Sequence, residues 1–340
     1  MTTTAQPARS PVTRKDVARY AGVSTAVVSY VINAGPKKVA PATEARVLEA
    51  IQVLGYRPNA AARALKLGST EMLGLVIPDT INPFFAELSH ALEDAANDRG
   101  YALLLTNSDG STAKERKHVR NLLSRQVDGV LLTTVEDEPY LDDVIASGIP
   151  AVLLNHYRPS KHLPTVGVDL TVGASVAVEH LIWHGHKNIA LVKGMNAVNA
   201  PDEREAGWLQ ALTAAGLQEG QIFTTPFSMD GGYAAGRRLA SLKDRPTAVF
   251  VSSDVQAVGV LRALHEADLN VPADVAVVSF DASFQSEYTW PALTAMHQPT
   301  RQMAAAAVEA LLNKEESTPV RNMVFPTDLI IRRSCGCLTE

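Results

Sequence analysis

Two periodicities divide the chain near residue 70. Before it, short stretches carry apolar residues at helical spacing; after it, apolar runs alternate with longer amphipathic stretches. Thr13-Arg-Lys-Asp16 has the Ser/Thr-x-x-Asp/Glu spacing that opens helices, Val17, Ala18 and Ala21 supply a small apolar face, and Gly22 ends it. Ser24 can cap a second helix from Thr25 to Asn33, with Val28, Val31 and Ile32 turned inward. Two helices joined by a short Gly-containing turn make a helix-turn-helix. A third amphipathic helix is predicted over roughly 41–54, with Val47, Leu48, Ile51 and Leu54 inward. Pro41 suits its first turn, but Ala40 at the N-cap offers no side-chain acceptor. Asn59 can then cap a helix of about two turns, too short to be stable alone and so suited to ordering when docked.

Beyond residue 70, strand-like runs fall at 72–77, 101–105, 130–132, 151–154, 189–192, 248–251 and 275–279. Helical patterns lie between them, near 84–99, 114–125, 140–147, 171–184, 204–215, 232–242 and 255–267. Such alternation predicts parallel sheets with helices on both faces, which bind ligands beyond the carboxyl ends of their strands. Those ends carry Asp79, Asn82, Asn155, Ser253, Asp254 and Asp281.

Charge separates the same two regions. Residues 1–68 hold ten Lys and Arg against three acidic residues, a net of +7, whereas the remainder carries −12. A basic head on an acidic body suits a polyanion that touches only the head, although a solvated basic face would look the same. With 46% hydrophobic and 20% charged residues the composition is that of a globular protein. No apolar run reaches membrane-spanning length, and the first residues lack a secretory pattern, so a cytoplasmic protein without membrane contact is expected.

Val12-Thr-Arg-Lys-Asp-Val-Ala-Arg-Tyr-Ala-Gly-Val-Ser24, Val28-Ser-Tyr-Val-Ile-Asn33 and Gly55-Tyr-Arg-Pro-Asn59 resemble the head and hinge of the lactose-repressor (LacI/GalR) family. The resemblance continues through Asp79-Thr-Ile-Asn-Pro-Phe-Phe85, Asp128-Gly129, His180-Leu-Ile-Trp-His-Gly-His186, Arg204-Glu-Ala-Gly207 and Phe280-Asp281. It implies a helix-turn-helix head over 1–57 and a hinge helix and linker over 58–70. A two-lobed, doubly wound α/β body like the periplasmic sugar-binding proteins would follow over 71–340. By that analogy lobe one is about 71–167 plus 298–326, and lobe two about 168–297 plus 327–340.

The same resemblance implies a homodimer on a near-palindromic double-stranded DNA operator, a small-molecule effector in the cleft, and repression as the commoner mode. It implies base contacts at Thr25, Ala26 and Tyr30, and phosphate contacts near Thr13, Ser24, Ser29 and Asn33. Hinge contacts are implied for Asn59, Ala62 and Leu65, with Leu65 wedged into the minor groove. Effector contacts are implied for Asn82, Phe84, Asn155, Arg204, Phe227, Asp254 and Gln298. Physically, Arg204 and Asp254 can clamp polar ring edges, and Phe84 and Phe227 can cover an apolar face. Three positions depart from the family: Tyr30 and Asn155, where Arg and Asp are usual, and Ala40, where a Ser cap is usual.

Rival functions lack their motifs. The chain contains no Gly-x-Gly, Gly-Lys, Gly-x-Ser-x-Gly or His-Glu-x-x-His, so neither an enzyme nor a cofactor is expected. A periplasmic receptor would carry no basic head. His180 and His184 share a helix face, yet no carboxylate or Cys partner is near in sequence, and no metal is expected there. Cys335 and Cys337 read as free tail thiols.

Overall fold

In this computed structural model the described residues are 12–32, 38–134, 141–156, 158–195, 202–313 and 321–337. The chain divides into two units, Met1–Thr70 and Glu71–Glu340.

The first unit contains α1 (Arg14–Ala21), α2 (Thr25–Ile32), α3 (Pro41–Leu54) and α4 (Ala60–Leu67). At the start of α1 the Asp16 carboxylate accepts from the Thr13 N–H at 2.9 Å and from its hydroxyl at 2.6 Å. Gly22, at φ 65°, turns the chain toward α2. Val17, Ala18, Ala21, Val28, Val47, Ala50 and Tyr56 form the core. Ala40 makes no side-chain cap, but its carbonyl accepts from the Thr43 and Glu44 N–H groups at 2.8 and 3.0 Å, and Pro41 has no N–H to satisfy. One inward position is corrected. Leu48 is 51% exposed, and Ala50 is buried in its place, because 47, 50, 51 and 54 share one helical stripe.

The second unit holds two six-stranded sheets. The chain runs β1 (Met72–Ile77), α5 (Pro83–Asn97), β2 (Ala102–Asn107), α6 (Thr112–Ser124), β3 (Gly129–Leu132), α7 (Asp142–Ser147), β4 (Ala151–Leu154) and β5 (Thr165–Val168). It continues through α8 (Leu170–Trp183), β6 (Ile189–Gly194), α9 (Glu203–Ala214), β7 (Ile222–Thr225), α10 (Met229–Ala240), β8 (Ala248–Val251), α11 (Asp254–Glu266) and β9 (Ala276–Asp281). A 3-10 turn at Phe284–Glu287, β10 (Thr294–His297), α12 (Thr300–Leu312), β11 (Asn322–Phe325) and β12 (Asp328–Ile330) complete it. The sheets order as β11-β5-β4-β3-β1-β2 and β12-β10-β9-β8-β6-β7. The chain therefore passes between them after β5, after β10 and after β11. Pairing is parallel, as in β1 with β2 from Met72↔Ala102 to Ile77↔Asn107, except at the edge, where β12 runs antiparallel to β10.

Five short strands, β5, β7, β10, β11 and β12, and the helix α12 extend the sequence-based element list. The strands' patterns are weak for identifiable reasons. In β5, Gly167 interrupts the apolar run because a Cβ there would sit 2.8 Å from the His156 backbone. Half of β7 is threonine.

Candidate nucleic-acid interface and ligand cleft

Ser24, whose hydroxyl accepts from the Val27 N–H at 3.3 Å, opens α2. Thr25 and Ala26 are exposed on its first turn, and Ser29 and Tyr30 are half-buried one turn later. Thr13 is exposed at the start of α1. Asn33 lies outside the described residues. In α4 the Asn59 Oδ1 accepts from the Ala62 N–H at 3.2 Å, and Gly68 ends the helix at φ 70°. Ala62 is exposed, and Leu65 is 90% exposed. Covering such a side chain is worth roughly 1.5–3 kcal/mol, so a leucine this bare on a two-turn helix suits a docked partner better than solvent.

In the body, Asn82 caps α5, its Oδ1 accepting from the Phe84 N–H at 3.0 Å. Phe84, 3% exposed, packs edge-on against Phe85 with centroids 5.1 Å apart. Asn155 ends β4 at φ 52°. In the other half of the body, the Arg204 guanidinium lies 5.0 Å from the Phe280 ring centroid and 5.9 Å from that of Phe227. Asp202 caps α9 through the Arg204 N–H at 3.0 Å.

Asp254 does not face Arg204 as a free clamp. It is 1% exposed, and its carboxylate accepts from the Ser279 hydroxyl at 2.5 Å and from the Ser283 N–H and hydroxyl at 2.6 and 2.8 Å. The adjoining carboxyl is Asp281, which closes β9 at φ 106° and accepts from the Gln298 Nε2 at 2.8 Å. Burial, reinforced by the neighbouring Asp254, pushes Asp281 up to about 8, with Arg204 and Gln298 acting against the shift. Burial likewise raises Asp254 to about 6, against the hydrogen bonds from Ser279 and Ser283. Burial and the neighbouring Asp254 thus favour the protonated form of Asp281, in which it can both donate and accept.

Arg204, Phe227, Asp254 and Gln298 are thus linked through Phe280 and Asp281. Asn82 and Phe84 form a second group, and among the described residues no hydrogen bond joins Asn155 to either. Beyond the sequence-based effector set stand Phe280, Asp202, Asp281, which the sequence marked only as a strand-end residue, and two pairs that bridge the lobes. Arg158 Nε meets Glu203 Oε1 at 2.9 Å, and Glu87 Oε1 accepts from the Phe284 N–H at 2.5 Å. Asp281 stands at a strand end, the same signal that selected Asp254; the bridging pairs carry no local signal.

A profile of bacterial regulatory proteins, lacI family, matches residues 13–59, and one of a periplasmic binding protein-like domain matches 178–335. Over 328 residues the chain is 34% identical to the HTH-type transcriptional repressor PurR of Photobacterium profundum, covering 95% of this chain and 98% of that protein. The chain belongs to the LacI family. This LacI-family chain is also 38% identical over 312 residues to catabolite control protein A of Priestia megaterium, across 89% of the chain and 93% of the relative. Its fold matches a crystal structure of the lac repressor dimer bound to operator and the anti-inducer ONPF, with a TM-score of 0.83 and 29% identity over 96% of this chain and 99% of that one. It is a DNA-binding transcriptional regulator, and the PurR relative is by name a transcriptional repressor. Among the described residues no helix is long and apolar enough to cross a membrane.

Proposed function

We propose that two copies of this chain repress transcription in the cytoplasm by occupying a near-palindromic operator, and that a polar ring-shaped metabolite in the cleft sets their affinity for it. The head spans 1–57, the hinge 58–70, lobe one 71–167 plus 298–326, and lobe two 168–297 plus 327–340. In this reading α2 enters the major groove. Thr25, Ala26 and Tyr30 reach base edges there, while Thr13, Ser24, Ser29 and Asn33 hold phosphates. Two α4 helices, capped at Asn59, present Ala62 and Leu65 to the minor groove. The leucines unstack the central step at a cost of a few kcal/mol, offset by contacts to the bent duplex.

One observation supports the cleft as the effector site. Nine buried side-chain atoms among the described residues lack a hydrogen-bond partner; four lie at or just beyond strand carboxyl ends, Asn107 Oδ1, Thr133 Oγ1, Ser252 Oγ and Gln298 Oε1, and two more, Asp202 Oδ2 and Arg204 Nε, at the start of α9. Leaving such a group unpaired costs about 1–3 kcal/mol, so several of them at the strand and helix ends of the body favour a ligand with several donors and acceptors. Phe227 and Phe280 supply apolar faces, Arg204 and protonated Asp281 supply directional polar contacts, and Asn82, Phe84 and Asn155 line the opposing lobe. Asp254 acts through Asp281 by holding it in place. A sugar or nucleoside has the required pattern, and it is bound and released unchanged.

Thermal-shift and calorimetric screening of sugars, nucleosides and their phosphates tests the reading. A hit should stabilise the wild type, fail to stabilise Arg204→Ala, be recovered chemically intact and change operator affinity. Turnover of the ligand, or a hit that acts equally on Arg204→Ala, would overturn it.

A further inference from the structure

The C-terminal cysteines are not a loose tail. The Ser334 hydroxyl accepts from the Thr294 N–H at 2.8 Å and donates to the Val277 carbonyl at 2.6 Å, which fixes the segment against β9 and β10. Cys335 is fully buried, and the Thr294 hydroxyl donates to its sulfur at 3.1 Å. Gly336, at φ 102°, then reverses the backbone, a conformation other residues adopt at a cost, and returns Cys337 toward α8. There it meets two imidazoles. The His184 Nε2 lies 3.1 Å from the Cys337 sulfur and the His180 Nε2 3.7 Å from it. The four ligand atoms of His180, His184, Cys335 and Cys337 all lie within 4.8 Å of one another.

A tetrahedral zinc ion with bonds of about 2.3 Å to sulfur and 2.0–2.1 Å to nitrogen needs ligand atoms roughly 3.3–3.8 Å apart, so each has about an ångström or less to move. We infer that His180, His184, Cys335 and Cys337 form a site for a borderline-soft divalent transition-metal ion of the zinc class, which staples the C-terminal segment to α8. Helical i,i+4 spacing delivers the two imidazoles, the Cys-x-Cys turn delivers the two sulfurs, and the Thr294 hydroxyl orients one of them. Binding releases two thiol protons to solvent and involves no change of oxidation state. Both stapled segments begin at lobe crossovers, α8 after β5 and β12 after β11, so the ion would stiffen lobe two where the chain enters it. Trp183 borders the site, its ring centroid 4.8 Å from that of His184 and 6.0 Å from that of His180.

The test uses untagged full-length protein, reduced, stripped with a chelator and titrated with Co2+ and then Zn2+. Because the chain has only two cysteines, any thiolate-to-cobalt charge-transfer band reports this site. The expected result is tetrahedral cobalt absorption saturating near one equivalent per chain and bleached by Zn2+. Cys337→Ser and His184→Ala should abolish that absorption, Thr294→Val should weaken metal affinity about 10–100-fold, and Glu93→Ala, in the exposed His90–Glu93–Asp94 group, should change nothing. Cobalt without a charge-transfer band overturns the proposal, as does binding that survives His184→Ala. Loss of two titratable thiols with no metal bound, which marks a Cys335–Cys337 disulfide, overturns it too. The wild-type spectrum decides the matter even if a variant fails to fold.

Discussion

Replacing Asp281 by asparagine makes a sharp test of the carboxyl pair beneath the cleft. Asp281 is buried with its pKa pushed up to about 8, and Asp254 beside it is pushed up to about 6, both above the ordinary aspartate value of 3.8. Each folded-state pKa exceeds the unfolded value, so the folded chain holds protons that the unfolded chain has lost. Stability is therefore greatest below the unfolded pKa and falls as pH rises through the folded ones. Integrating the linkage relation from about pH 6.5 to about pH 8.5 gives a loss of about 2 kcal/mol, nearly all from Asp281. Starting above about pH 6 limits the opposing contribution of His180 and His186, whose burial lowers their pKa values. The asparagine side chain would present the same neutral shape and keep a carbonyl for the Gln298 Nε2, so the variant should match the wild type within about 1 kcal/mol near pH 6.5. Urea unfolding at a series of pH values supplies the assay. The wild-type free energy should fall across that window while that of Asp281→Asn stays flat. A flat wild type, or equal slopes for the two proteins, would refute the protonated-pair argument.

Three further outcomes follow from the head and the cleft. Leu65→Ala should leave folding unchanged, since the side chain is 90% exposed, yet cost specific operator binding about tenfold or more and nonspecific binding far less, by fluorescence anisotropy. Tyr30→Arg should alter preference at one symmetric base position by about 1–3 kcal/mol, read by selection from a randomised pool. Arg204→Ala should abolish the effector's influence while sparing operator affinity in its absence, measured by titration with and without ligand.

Much of the architecture was legible because local signals agreed with one another. The Thr13–Asp16 spacing, Gly22, Ser24 and Asn59 marked helix ends, and runs such as 72–77 and 248–251 became β1 and β8 with unchanged bounds. Leu48 misled because it adjoins the buried stripe of α3 without belonging to it. The site was less readable, for two reasons. Asp254 stands at a strand end like a ligand group, but Ser279 and Ser283, about 25 to 29 positions away, use its carboxylate. His180 and Cys337 are 157 positions apart, so helix spacing could place the histidines on one face but could not reveal the sulfurs that meet them.

The most direct test of the central account measures operator affinity of the intact wild-type chain, at fixed salt, across a titration of the metabolite found by screening. The account predicts a sequence-selected duplex whose Kd shifts about 5–150-fold as the cleft fills, with the reciprocal shift in metabolite affinity when operator is bound. An operator Kd that does not move as the cleft saturates, or a chain that selects no sequence at all, would contradict it.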